Sequence, residues 1–126
     1  MQLGSGVVTT TEILDGTIDD ADISSNASVR QGAIEFFIDG GGSAISTGEK
    51  AWVYVPFDCT ITGWELTVDT SATITIDIWK DTYANFPPDD TDSICGGNEP
   101  SISAGIKNSS TDLTGWTTTI NAGDYI

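Results

Sequence analysis

The stretch that most constrains this chain is Ile74–Pro88, ITIDIWKDTYANFPP. Ile74, Ile76 and Ile78 fall on one face of an extended strand, and Thr73, Thr75, Asp77 and Trp79 fall on the other. The alternation runs into a loop of Lys80, Asp81, Thr82, Tyr83, Ala84, Asn85, Phe86, Pro87 and Pro88. Two adjacent prolines end a hydrogen-bonded ladder there, because neither has an N–H to donate. A strand followed by such a corner points to an all-β fold.

The rest of the chain agrees. Thr, Ile, Val and aromatic residues recur between turn signals, and no window holds apolar residues at helical spacing. With 38% hydrophobic and 18% charged residues, the chain can bury a core. Several short strands argue for a sandwich or a barrel.

From Ala33 the pattern predicts strands at Ile34–Ile38 and Ala51–Phe57, with Asp39–Gly42 as a turn and Pro56 marking an edge or a strand end. Thr60–Val68 follows. Gly63 is the expected bulge, because Ile61 and Trp64 lie an odd number of residues apart. Ala72–Lys80 is expected to pair with it as an antiparallel hairpin across Asp69–Ser71. Asp89–Pro100 reads as a long loop, and weaker strands follow at Ser101–Lys107 and Leu113–Ile120. Asp124–Ile126 reads as the start of a further strand. Its unpaired apolar character implies either a longer polypeptide or a neighbouring subunit over that edge.

Residues 1–32 differ from the rest: they are polar, acidic and rich in small side chains. Ile13, Ile18 and Ile23 recur every five residues, in ILDGT, IDDAD and ISSNA. That spacing suits neither a helix nor a flat strand. One isoleucine per short turn makes no core in a single chain. It does so if several copies wind about a common axis with each Ile inward. A linker with chance spacing is the competing reading, and a single-chain β-helix has too few coils. The expected organisation is therefore an extended oligomerisation segment at 1–32 and a β domain at 33–126.

The net charge is −15, and Arg30, Lys50, Lys80 and Lys107 are scattered. Nucleic-acid binding needs clustered cations, so it is not expected, and neither is an anionic membrane surface. No apolar run approaches the roughly 20 residues of a membrane span. Met1–Thr10 has neither a basic start nor an apolar stretch, so no secretory signal is expected. The chain has no His, which removes the commonest general base and transition-metal ligand. No GxSxG, Walker, Rossmann or HExxH pattern occurs, and Asp39–Ala44 is a turn rather than a phosphate cradle. No enzyme, no catalytic residue, no metal and no cofactor are expected. Cys59 and Cys95 lack metal-ligand spacing, and both a disulfide and two free thiols stay open.

Two clusters are candidates for binding. Asp77, Asp81, Asp89, Asp90 and Asp92 could attract calcium, but they lack EF-hand spacing, and a solvated loop outweighs that reading. A glycosidase pair cannot be read from them. Trp52, Trp79, Tyr83, Phe86 and Trp116 could form a sugar-stacking platform, with Trp79, Tyr83 and Trp116 the residues singled out for glycan binding. The competing expectation is that these rings are core, with Trp79, Tyr83 and Phe86 packing a rigid corner at one end of the fold. The Asn-x-Ser triplets at Asn26 and Asn108 are chance matches in a Ser/Thr-rich chain.

Four segments resemble small β-sandwich domains of bacteriophage virion structural proteins, especially tail-fibre, head-fibre and similar appendage proteins. They are IEFFIDGGGSAISTGEK at 34–50, VPFDCTITGWEL at 55–66, TIDIWKDTYANFPP at 75–88 and LTGWTTTINAGDYI at 113–126. TEILDGTIDDADISSNASV at 11–29 resembles the short-repeat shaft segments that precede such domains in trimeric fibres. The resemblance implies an antiparallel, jelly-roll-like β-sandwich behind a shaft-like segment. It implies a non-enzymatic structural component of the virion, assembled in the host cytoplasm and extracellular in the released particle. The implied partners are two further copies in a homotrimer packed on Ile13, Ile18 and Ile23, and other virion proteins. A host-attachment module binding a surface glycan is the alternative. Members of this family usually continue past the AGDYI position with further strands.

Overall fold

The computed structural model describes Ile23, residues 31–48 and residues 51–126. The chain divides into the units Met1–Ala33 and Ile34–Ile126, and the described strands all belong to the second. Among the described residues there are six strands: β1 (Cys59–Thr60), β2 (Trp64–Thr75), β3 (Asp81–Thr82), β4 (Ser101–Ser110), β5 (Thr119–Ile120) and β6 (Asp124–Tyr125). The described residues contain no α-helix, only single 3-10 turns at Tyr83–Asn85 and Asp90–Asp92. The fold is all-β. Pairing is antiparallel throughout, β1 with β5, β2 with β4 and β3 with β6.

The expected hairpin across Asp69–Ser71 does not form. Asp69–Thr70–Ser71 has turn-compatible Asp and Ser but no Gly or Asn to supply the positive φ of a tight hairpin turn. β2 therefore runs through it as one twelve-residue strand. Its partner is β4, with Trp64 opposite Ser110 and Thr75 opposite Ser101. The irregularity expected at Gly63 lies instead within this ladder, as register shifts between Thr67 and Ala72 and between Ala72 and Ile74. Ala104 on β4 takes a left-handed φ of 48°, and its N–H donates to Thr73 Oγ1 at 3.1 Å. Gly63 precedes β2, where a Cβ would stand 2.9 Å from the Ser110 carbonyl oxygen.

Three other strand expectations also change. Ile34–Ile38 forms no strand, although Ile34 packs on the core. Within Leu113–Ile120 only Thr119–Ile120 pairs. Ala51–Phe57 contributes a short pairing: Val53 and Ile126 exchange N–H···O bonds of 2.7 and 3.0 Å, and Val55 N–H donates to Asp124 O at 2.9 Å. β6 consequently has neighbours on both sides, with Tyr125 opposite Asp81 of β3 and opposite Tyr54. The segment expected as an unpaired stub is the central strand of a small sheet.

The alternation at Ile74–Ile78 is present, half-buried isoleucines alternating with exposed Thr75 and Asp77. Beyond Thr75 the chain stays extended. Ile76 N–H donates to Pro100 O, Ile94 N–H to Ile78 O and Lys80 N–H to Asp92 O, at 2.9 to 3.0 Å. The Phe86–Pro87 peptide bond is cis. The core is aliphatic: Val55, Ile94, Ile120 and Ile126 are buried together, with Ile34, Cys59, Ile61, Ile78 and Trp116 against them. Each buried aliphatic side chain contributes roughly 1.5–3 kcal/mol relative to exposure. Cys59 and Cys95 are both free thiols.

Candidate functional site

The outer face of the β3–β6 sheet carries a cluster of aromatic rings. The pleat builds it. Trp52 and Tyr54 are two residues apart on one extended segment, so both point to the same side. Tyr54 bridges to Tyr125, which brings their ring centroids to 5.4 Å. Tyr125 then meets Phe86 at 4.8 Å and Tyr83 at 6.4 Å, and Phe86 meets Trp52 edge-on at 5.9 Å. These are the tilted and T-shaped arrangements that ring quadrupoles prefer. Tyr83 is 79% exposed, Tyr54 52%, Phe86 46% and Trp52 45%.

Two local devices hold this surface. Asp81 Oδ1 accepts from Thr82 N–H at 2.6 Å and from Asn85 Nδ2 at 3.1 Å, tying both ends of the turn that presents Tyr83. The Thr82 backbone bond, then the Asn85 amide, hold the Asp81 carboxyl below its ordinary range. Beside Tyr125, Asp124 is buried. Its Oδ2 accepts from Lys80 Nζ at 3.1 Å and from Asn121 N–H at 2.9 Å. The ammonium of Lys80 is thus closed off by a carboxylate. The hydroxyls of Tyr54, Tyr83 and Tyr125 have no hydrogen-bond partner among the described residues.

Of the residues the sequence singled out for glycan binding, only Tyr83 lies in this cluster. Trp79 is half-buried and donates its indole N–H to Asp77 Oδ2 at 2.7 Å. Trp116 packs on the core and donates to Asn98 O at 2.9 Å. The expectation of an aromatic core is overturned for Trp52, Tyr83 and Phe86, which are exposed. The buried cluster is instead filled by Val55, Ile94, Ile120 and Ile126. Tyr54 and Tyr125 are the additions that sequence reasoning missed. The alternation Trp52-Val53-Tyr54-Val55 carried the signal for Tyr54, whereas Tyr125 depends on a long-range pairing. Ile13 and Ile18 lie outside the described residues, and Ile23 sits half-buried at a bend.

The acidic residues satisfy local donors. Asp77 accepts from Ser93 Oγ at 2.6 Å as well as from Trp79. Asp89 and Asp92 form a reciprocal capping box on the Asp90–Asp92 turn. The Thr91 hydroxyl and then its N–H hold the Asp89 carboxyl below its ordinary range. Among the described residues, no three His, Cys, Asp or Glu side chains are grouped as metal ligands would be. A concavity of about 580 Å³ is lined by Phe36, Ile38, Ile45, Ile74, Ile76 and Trp79 among others.

No protein-family model, no curated protein and no solved structure matches the chain.

Proposed function

We propose that this chain is a non-enzymatic structural component of a bacteriophage virion, a fibre or surface appendage exposed on the particle. The observation that carries the assembly part of this reading is the contrast between core and surface. The fully buried hydrophobics are a few aliphatic side chains and Cys95, while Phe37, Ile106 and Phe57 are all more than half exposed. A small domain with that much apolar surface gains by burying it against neighbouring subunits. The five-residue recurrence of Ile13, Ile18 and Ile23 supports a threefold assembly with the isoleucines on its axis. The virion placement rests on the resemblance of 34–50, 55–66, 75–88 and 113–126 to phage appendage domains.

The same reading makes Ile34–Ile126 an antiparallel, jelly-roll-like sandwich. Its support is topological. None of the six strands pairs with its sequence neighbour, and the β2–β4 pair is enclosed between the strands of the β1–β5 pair. Nested antiparallel pairs of this kind are what a long hairpin wound on itself, as in a jelly roll, would give. The test is proteomic: purified particles from a host producing this chain contain it in stoichiometric amount. Its absence from particles, with the protein abundant in the lysate, contradicts the proposal.

A second reading, a host-attachment module that binds glycan, is favoured by one observation: the exposed ring cluster about Tyr125.

A further inference from the structure

We propose that the ring cluster of Trp52, Tyr54, Tyr83, Phe86 and Tyr125 is a binding site for a neutral glycan, engaged through the apolar faces of its pyranose rings. The inference rests on the glycan-binding reading and assigns both its location and its class of ligand.

Three observations carry it. First, the surface is amphipathic rather than simply apolar. Rings exposed by 45–79% supply flat apolar area, and the Tyr54, Tyr83 and Tyr125 hydroxyls make no bond to the described protein. A pyranose has the matching character, an apolar C–H face bordered by hydroxyls that both donate and accept. Aromatic side chains also lose little conformational freedom on binding, having only two rotatable bonds each. Second, the rim offers polar groups already fixed in place. Asn85 Nδ2 is held by Asp81 Oδ1 at 3.1 Å, which leaves the side-chain carbonyl of Asn85, two residues on from Tyr83 in the same turn, as an acceptor. Third, the electrostatics select against an anion. The chain carries −15. The cation bonded beneath the sheet, Lys80, is neutralised by Asp124 at 3.1 Å, and Asp81 adds negative charge at the rim. A sialic acid or uronic acid would meet repulsion with no partner for its carboxylate.

The experiment uses the full chain on an array of neutral and acidic oligosaccharides, followed by titration calorimetry with the best neutral probe. Binding to neutral hexose or N-acetylhexosamine chains is expected. Tyr83→Ala should weaken it about tenfold with an unchanged circular dichroism spectrum. Lys107, a cation on β4 opposite Thr67, is not part of the cluster, so Lys107→Ala should leave neutral binding unchanged. Binding confined to acidic glycans overturns this inference and leaves the glycan-binding reading standing. Neutral binding that survives both Tyr83→Ala and Trp52→Ala overturns the location alone. Binding to no glycan overturns the inference and the reading together, and assigns the rings to a protein contact.

Discussion

Tyr54 and Tyr125 face each other across an antiparallel bridge, with ring centroids 5.4 Å apart. The pair joins two segments some seventy positions apart in the chain, and Tyr125 carries the contacts onward to Tyr83 and Phe86. Tyr125 is half-buried while its neighbours are exposed. It is therefore the structural centre of the cluster, and the others form its exposed face.

That division separates stability from binding. Tyr125→Ala is expected to cost about 1–3 kcal/mol, because it removes three ring contacts from a central strand. Tyr83→Ala should change stability by no more than about 0.5 kcal/mol, since its ring is largely solvated. Urea denaturation of the two variants checks this. Equal losses would contradict the assignment of Tyr125 as the centre.

The Lys80–Asp124 pair should behave as a buried ion pair. Asp124 is 4% exposed and also accepts from Asn121 N–H. Asp124→Ala leaves both donors unpaired and should cost about 2–3 kcal/mol. The double change Lys80→Met with Asp124→Leu should recover part of that loss, because the unpaired charge goes with its partner. A double-mutant cycle measured by chemical denaturation gives the coupling directly.

Gly96 and Gly115 approach so closely that a Cβ on Gly96 would lie 2.1 Å from the Gly115 carbonyl oxygen, and Gly96 has a φ of +59°. Gly96→Ala combines backbone strain with a clash and should cost roughly 2–4 kcal/mol. Gly97, at φ +87°, has open space around its Cβ position, so Gly97→Ala should show only the strain, about 1 kcal/mol. Comparing the two melting temperatures separates the effects.

Cys95 sets a pH dependence. Burial pushes its thiol up from 9.0 to about 11. The folded state then holds a proton that the unfolded state releases earlier. The contribution to stability is complete below pH 9 and is lost as pH rises toward about 11. Stability should fall across that window, and Cys95→Ala should flatten the decline. The thiol should also resist alkylation in the folded protein, as its side chain is fully buried.

The all-β class was legible because alternation at Ile74–Ile78 is a local signal that survives packing. The pairing of β2 was not. The sequence around Asp69–Ser71 is compatible with a turn or a strand, and the choice fell to β4, whose residues lie more than thirty positions downstream. Asp124–Ile126 shows the same limit. Three residues reveal no partner, yet Val53–Val55 and β3 both claim them. Tyr83 is exposed in a polar turn, as the platform reading and not the packed-corner reading expects. Trp79 and Trp116 looked equally available, but Asp77 and the Asn98 carbonyl already hold their indole N–H groups.

We propose that the chain works as an assembled appendage, and its mass in solution tests that most directly. Multi-angle light scattering of the purified chain at micromolar concentration should give three times the 13.2 kDa of one copy. Ile18→Asp should lower it, because a charge would then sit on the shared axis. A single species at 13.2 kDa across that concentration range would contradict the account.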